Sequence, residues 1–196
     1  MNLKEEVIKA GIRMLDSGLT VGTFGNVSVL GDDGLVYITP SSMDYRSLSP
    51  EDICVLDLEG NLVDGIRKPS IERLLHTEIY KARKDIKAIV HTHPVDSTAV
   101  SCTGSSIPII IDECWITLHD EVKTMPYEKP GSVELAVSAA KTLGDKALAC
   151  MLQSHGSVCC GGNMDEAFKV AEVLEMAAKI FIRLQSMGVN GKILKK

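Results

Sequence analysis

Two histidines one residue apart, His91 and His93, end an apolar run over residues 86–90. The run is rich in β-branched residues and is followed by Pro94, which predicts a buried strand that stops at this point. Side chains at positions i and i+2 of a strand point to the same face, so both imidazoles are expected to lie side by side. Neighbouring imidazoles suit a single metal ion, and the alternative is a pair of surface histidines.

A catalytic zinc site usually has three protein ligands and one open position. His155 follows an apolar, strand-like run and precedes Gly156, whose missing side chain permits close approach of another backbone. We therefore predict His155 as the third metal ligand. His76 falls within a predicted helix as a packed or solvated residue, and His119 lies in a polar loop as a surface histidine.

A carboxylate near these histidines is the first candidate for proton transfer. Ser70 can cap a helix predicted over residues 70–83, which places Glu72 in the first turn of that helix. One interpretation is a carboxylate that stabilises the helix dipole. The other is a general acid/base that acts beside a metal on a polarised carbonyl.

Small polar residues on glycine- or proline-bearing loops form a second candidate site: Asn26, Ser41, Ser42 and Ser70. Hydroxyl, amide and free backbone N–H groups are the groups that bind a phosphate monoester. Each of these residues alone is also an ordinary turn or capping residue. Because the loops share one half of the chain with the two histidines, the sequence predicts a phosphate-binding pocket there.

Length and composition restrict the class of protein. The chain has 196 residues, of which 45% are hydrophobic and 24% charged, and this predicts one globular domain over residues 1–196. A net charge of −5 without a basic stripe argues against nucleic acid as a partner. No apolar stretch approaches the ~20 residues that a bilayer requires, and no membrane partner is expected. Met1 leads directly into a polar, amphipathic stretch, so we expect no N-terminal signal.

The six cysteines form no Cys-x-x-Cys pair, which favours reduced thiols in the cytoplasm. The adjacent Cys159 and Cys160 are expected to point to opposite faces of a strand rather than to share a metal.

Hydrophobic periodicity predicts alternating strands and helices that form an α/β domain with a largely antiparallel sheet. The predicted helices are 3–15, 70–83, 130–142 and 165–184, and residues 94–102 form a further amphipathic stretch. The predicted strands are 27–30, 35–38, 53–56, 86–90, 107–111 and 147–152.

With these residues in place, the chain resembles the class II sugar-phosphate aldolase/epimerase superfamily over about residues 3–186. The motifs that carry the resemblance are, in chain order, Gly25-Asn26-Val27-Ser28, Thr39-Pro40-Ser41, Pro69-Ser70-Ile71-Glu72, His91-Thr92-His93-Pro94 and His155-Gly156. The resemblance implies a three-layer α/β/α fold with a central, mainly antiparallel sheet. It also implies a homotetramer with active sites at subunit interfaces.

The resemblance further implies a zinc ion, replaceable by Co²⁺ or Mn²⁺, on His91, His93 and His155. Glu72 corresponds to the acid/base glutamate, which can also contact the metal. The phosphate-pocket positions correspond to Asn26, Ser41, Ser42 and Ser70.

The reaction implied is aldol cleavage of a ketose 1-phosphate, similar to L-fuculose 1-phosphate, into dihydroxyacetone phosphate and an aldehyde. A metal-stabilised enediolate is the intermediate. An epimerase similar to L-ribulose-5-phosphate 4-epimerase, a sugar-phosphate dehydratase and a decarboxylase remain alternatives on the same metal site. A non-enzymatic module of this fold would be expected to lack the metal histidines.

Three departures from the family pattern affect this interpretation. Ile71 stands where a second phosphate-binding serine is usual, and the C-terminal tyrosine that serves a neighbouring site has no counterpart. Asp112 stands where a tyrosine acid is expected, so we predict Asp112 as a second catalytic residue. Glu113, Tyr127 or a water are the other candidates for proton transfer at the C4 oxygen.

Overall fold

The structure, a computed structural model, describes residues 2–194 and contains an eight-stranded sheet with helices on both faces. Met1, Lys195 and Lys196, which the predicted domain includes, lie outside the described residues. The strands are β1 (Asn26–Leu30), β2 (Val36–Ile38), β3 (Cys54–Leu56), β4 (Leu62–Asp64), β5 (Ala88–Thr92), β6 (Thr124–Met125), β7 (Ala149–Leu152) and β8 (Gly156–Gly161). The helices are α1 (Leu3–Asp16), α2 (Arg73–Ala82), α3 (Val95–Thr103), α4 (Asp112–Thr117), α5 (Val133–Leu143) and α6 (Met164–Ser186).

Side-chain caps explain where the first and last helices of the chain, α1 and α6, begin. The Asn2 side chain accepts a hydrogen bond from the backbone N–H of Lys4 at 3.1 Å, and α1 starts there. The Asn163 side chain accepts one from the N–H of Glu166 at 2.9 Å at the start of α6. Acidic residues in both first turns suit the positive end of each helix dipole. Within residues 2–194, no helix combines the length and apolar character needed to cross a membrane.

The sheet is mixed, so the prediction of a mainly antiparallel sheet needs a correction at the edge strand β6. Its strand order is β4-β3-β2-β1-β5-β8-β7-β6, and every neighbouring pair up to β7 is antiparallel. The edge strand β6 runs parallel to β7. Helix α5 lies between these two strands in the chain, and such a crossover returns the chain in the same direction.

Apolar side chains fill both faces of the sheet, so the structure has the three layers that were predicted. One cluster lies between the sheet and helices α1, α3, α4 and α6, and the other lies between the sheet and helices α2 and α5. Cys159 belongs to the first cluster and Cys160 to the second. The two thiols therefore face opposite layers, as predicted.

The apolar run at residues 107–111 is not a strand, and that prediction was wrong. Only Ile107 forms an isolated bridge, to Val122, and Ile111 already occupies the N-cap of α4. Pro108 has no N–H to continue a ladder. The run is apolar because Ile107 and Ile109 are buried in the first core cluster.

The central strand β5 determines where the chemistry-bearing residues lie. All of its residues are buried, because β1 pairs with it on one side and β8 on the other. The register places Asn26 directly opposite His91, at the end of the sheet where β5 stops. The turn from β7 to β8 lies at the same end, so His155 lies beside His91 in β5 and His93 just after it.

Candidate active site

Three imidazoles and one carboxylate converge at this end of the sheet. Potential ligand atoms of Glu72, His91, His93 and His155 all lie within 4.8 Å of one another. The His91 ring lies 4.7 Å from the His93 ring and 4.9 Å from the His155 ring, centroid to centroid. The three histidines predicted as metal ligands thus surround one common point.

Backbone contacts orient the histidines toward this point. His91 Nδ1–H donates to the carbonyl of Ser157 at 2.9 Å, which leaves the lone pair of Nε2 for the centre of the cluster. A Cβ on Gly156 would collide with the carbonyl oxygen of Thr92 and approach the His93 ring at 3.0 Å. The close approach predicted for Gly156 is therefore present, and it allows the β7–β8 turn to pack on β5.

Glu72 lies in the cluster and does not serve the helix dipole. The residue occupies the N-cap of α2 rather than its first turn, and its side chain makes no capping hydrogen bond. The side chain is buried, with Oε2 3.0 Å from His91 Nε2 and Oε1 3.3 Å from His155 Nε2. Ser70, the predicted cap, instead accepts the N–H of Glu72 at 3.2 Å.

The charges within the cluster favour an ionised carboxylate. Burial alone would raise the pKa of Glu72, but the facing His91 and His155 and the Asn26 amide hold it well below its ordinary value. The same pairing with Glu72 overcomes burial and raises the pKa of His91. Burial, aided by the neighbouring His91, lowers the pKa of His93 to about 3 and that of His155 to about 4. Both of these imidazoles are neutral near pH 7.

The donor set fits a divalent metal ion. Neutral imidazoles and a carboxylate are the usual ligands of zinc and related ions. Glu72 Oε1 is buried and accepts no hydrogen bond from the described residues, which leaves it available to a cation. In addition, His93 Nε2 and His91 Nε2 face each other at 2.9 Å, the arrangement of two ligand atoms directed at one ion.

A cleft of about 440 Å³ opens over the cluster. Glu72, His93 and His155 line it, whereas His91 lies fully buried beneath them. All four residues predicted to bind phosphate line the same cleft: Asn26, Ser41, Ser42 and Ser70. The structure therefore brings the two predicted sites together in one cavity.

Comparison with known proteins identifies the family of the chain. The model of the Class II Aldolase and Adducin N-terminal domain matches residues 5–182. The chain belongs to this family.

Relatives and solved structures agree with that assignment. The chain is 37% identical over 94% of its length to a 5-deoxy-D-ribulose 1-phosphate aldolase of Bacillus thuringiensis serovar kurstaki, and the match covers 86% of that protein. It is 36% identical over 95% of its length to a 3-oxo-tetronate 4-phosphate decarboxylase of Haemophilus influenzae, with 90% of that protein covered. A solved L-fuculose 1-phosphate aldolase superimposes with a TM-score of 0.94 at 34% identity, covering 100% of this chain and 91% of that one.

Two candidate residues of the chain lie away from the cluster. Asp112 is exposed in the first turn of α4 and is not among the described residues that line the cleft. Tyr127 is 58% exposed and donates its backbone N–H to the side chain of Gln153. Within one chain, the structure does not bring either side chain to the histidines.

The other two histidines, His76 and His119, lie in settings that the sequence allowed, one packed and one at the surface, but the hydrogen bonds of His76 were not predicted. His119 is exposed. His76 is fully buried, so the packed interpretation holds, and it is hydrogen bonded to Asn26 and Ser28. The spacing of four between Glu72 and His76 places both on one stripe of α2, and this signal could have linked them in the sequence.

Proposed function

We propose that the chain is a metal-dependent aldolase that cleaves a ketose 1-phosphate into dihydroxyacetone phosphate and an aldehyde. The observation that carries the proposal is the position of Glu72, a buried ionised carboxylate beside three imidazoles in a cleft lined with small polar groups. The aldolase names of two relatives support the same reaction class.

We propose zinc as the metal, held by His91, His93 and His155 with Glu72 as a further contact; Co²⁺ or Mn²⁺ would suit the same ligands. Such an ion would supply Lewis acidity: it would withdraw electron density from the ketose carbonyl and so favour negative charge on the neighbouring carbon.

Glu72 then acts as the acid or base that transfers a proton to or from C3 of the substrate. In the cleavage direction the C3–C4 bond breaks, its electron pair stays with the C3 fragment, and protonated Glu72 delivers a proton to C3. Glu72, which is ionised at rest, takes up from water the proton that it delivers, and the C4 hydroxyl releases one proton to water as C4 becomes the aldehyde carbonyl, so the protons balance. In the reverse direction ionised Glu72 removes the proton from C3. Asn26 Nδ2 donates to Glu72 Oε2 at 3.2 Å and holds the carboxylate in place.

The phosphate end is assigned to Asn26, Ser41, Ser42 and Ser70, and the apolar Ile71 lines the cleft next to Ser70. Ile71→Ser should tighten binding of dihydroxyacetone phosphate, because it restores a hydroxyl beside Ser70. A hydrogen bond to a charged group contributes about 1.5–3 kcal/mol, and partial exposure of residue 71 reduces the expected gain to roughly three- to tenfold in Kd. Calorimetric titration measures it.

Val133→Ser is the matched control for this substitution. Val133 is comparably exposed, at 58% against 51% for Ile71, but does not line the cleft. Its replacement should leave the Kd unchanged. Equal or weaker binding by Ile71→Ser would place the phosphate elsewhere.

We also propose a homotetramer in which neighbouring subunits complete the active sites. Two exposed apolar residues support this proposal: Phe24 lines the cleft and stacks against the His93 ring at 5.9 Å between centroids, and Val95, the first residue of α3, is 77% exposed. Mass measurement in solution should give four times the mass of one chain. A stable monomer with full activity would contradict this proposal.

The test of the reaction is condensation in the synthetic direction. Metal-loaded protein, dihydroxyacetone phosphate and a panel of short aldehydes should produce a ketose 1-phosphate that ³¹P NMR detects. No product with any aldehyde, at full metal occupancy, would count against the aldolase.

A decarboxylase is the second candidate, because the Haemophilus influenzae relative carries that activity in its name. Cleavage of a 3-oxo acid phosphate also leaves an electron pair on a carbon next to a carbonyl, so the same site would serve. Release of carbon dioxide from a four-carbon 3-oxo acid 4-phosphate, without aldehyde condensation, would favour this candidate.

A further inference from the structure

A line of buried polar side chains extends from Glu72 into the core. Asn26 donates to Glu72 Oε2, and the other end of the same amide, Oδ1, is hydrogen bonded to His76 Nε2. His76 Nδ1 lies 2.6 Å from Ser28 Oγ, which in turn lies 2.8 Å from the Tyr80 hydroxyl. His76, Ser28 and Tyr80 are all 0% exposed, so the line ends in the apolar core and not in water.

The line is built by the meshing of one strand with one helix. Asn26 and Ser28 are two residues apart on β1 and therefore point to the same face of the sheet. His76 and Tyr80 are four residues apart on α2, which packs on that face, and Glu72 is the N-cap of the same helix, four residues before His76. Residues of the strand and of the helix segment therefore alternate along the line, in the order Glu72, Asn26, His76, Ser28 and Tyr80.

The chemistry of the donors gives the line one direction. An amide oxygen can only accept, so His76 must carry its proton on Nε2 and donate it to Asn26 Oδ1. The burial of His76 favours the neutral ring, whose Nδ1 then accepts from the hydroxyl of Ser28. Tyr80 has one proton, and both of its contacts, Ser28 Oγ and the Ser28 carbonyl at 3.1 Å, can accept it. Donation therefore runs from Tyr80 to Ser28 to His76 to Asn26 to Glu72.

With its proton on Nε2, His76 stabilises the orientation in which the NH₂ group of Asn26 faces the carboxylate. If the amide were flipped, its oxygen would oppose Glu72 Oε2 and its NH₂ group would oppose the N–H of His76. With the His76 proton on Nε2, both contacts would be repulsive, and the ring is 0% exposed to solvent that could relieve them.

We propose that His76 is a positioning residue that holds the Asn26 amide with its N–H toward Glu72. By doing so it fixes the carboxylate for proton transfer at the substrate. The second statement rests on the proposed aldolase function, whereas the first concerns hydrogen bonding alone.

The first measurement reads the hydrogen bonds without any reaction. In the full chain loaded with Zn²⁺ and labelled with ¹⁵N, long-range ¹H–¹⁵N correlation should show His76 as the neutral Nε2–H form. The Asn26 side-chain N–H signals should exchange slowly with solvent. His76→Leu should abolish that protection, whereas His76→Gln, which keeps a side-chain N–H donor, should retain it.

The second measurement is the rate of hydrogen exchange at C3 of dihydroxyacetone phosphate. His76→Leu should lower kcat about 10- to 100-fold, the scale expected for a small displacement of a reacting group, with a smaller change in KM because Asn26 is one of the four residues assigned to the phosphate. His76→Gln should restore the rate to within about threefold of the unmodified chain. Ile79→Val, on the same buried helix, controls for lost stability and should change neither the rate nor the Asn26 signals.

The outcomes separate the two proposals. A proton on His76 Nδ1, or an Asn26 amide that stays protected in His76→Leu, would overturn the positioning role whatever the activity. Should His76→Leu fail to fold, the form of the ring in the unmodified chain and the behaviour of His76→Gln still decide. Absence of exchange in the metal-loaded, unmodified chain would refute the aldolase, while the NMR signals would still show whether His76 holds Asn26.

Discussion

Glu72→Gln is expected to lower turnover about 10²-fold or more, the usual scale for a lost acid/base group. Glutamine has nearly the same shape and can still accept the hydrogen bond from Asn26 Nδ2, so the cleft should keep its structure. Three imidazoles remain in the cluster, so the metal should stay bound. Steady-state rates together with metal analysis of the same sample measure both quantities.

Glu78→Gln is the matched control for this substitution. Glu78 lies on the same helix but pairs with Lys81 at 2.9 Å and does not line the cleft. Its rate should equal that of the unmodified chain. An unchanged rate in Glu72→Gln would remove Glu72 from the chemistry and leave it a structural carboxylate.

Removal of the metal is expected to abolish activity, and Zn²⁺, Co²⁺ or Mn²⁺ should restore it. The low pKa values of His93 and His155, about 3 and 4, leave both rings unprotonated at neutral pH. Protons therefore do not compete with the ion at these two rings until the solution is distinctly acidic. Elemental analysis should give one metal per chain.

His93→Ala should lose both the metal and the activity, because it removes a ligand that lines the cleft. His119→Ala, at the exposed histidine, is the matched control and should retain both. Activity that survives exhaustive chelation would exclude the metal mechanism.

The sequence predicts those parts of the site that depend on local periodicity. His91 and His93 share a face because a strand repeats every two residues, and Gly156 allows a close approach because it has no side chain. The neutral character of His93 and His155 could not be predicted in this way. It arises from burial and from the nearby His91, and both depend on the packing of segments that are distant in the sequence.

The errors and omissions have the same cause. The parallel pairing of β6 depends on how the chain returns after α5, which no local pattern specifies. The run at residues 107–111 has the composition of a strand. Its residues Ile107 and Ile109 are buried in the core, but they do not pair with a neighbouring strand beyond the isolated bridge of Ile107. The link between His76 and Asn26 needs the register of β1 against β5 and the packing of α2 on the sheet.

The most direct test of the proposed role of Glu72 is proton NMR of dihydroxyacetone phosphate in D₂O with the metal-loaded chain and its Glu72→Gln variant. We expect stereospecific loss of one C3 hydrogen signal with the unmodified chain and almost none with the variant. This result would show that Glu72 removes a proton from the carbon at which the proposed cleavage occurs. No exchange by the unmodified chain at one metal per chain, or equal exchange by both proteins, would contradict the central claim.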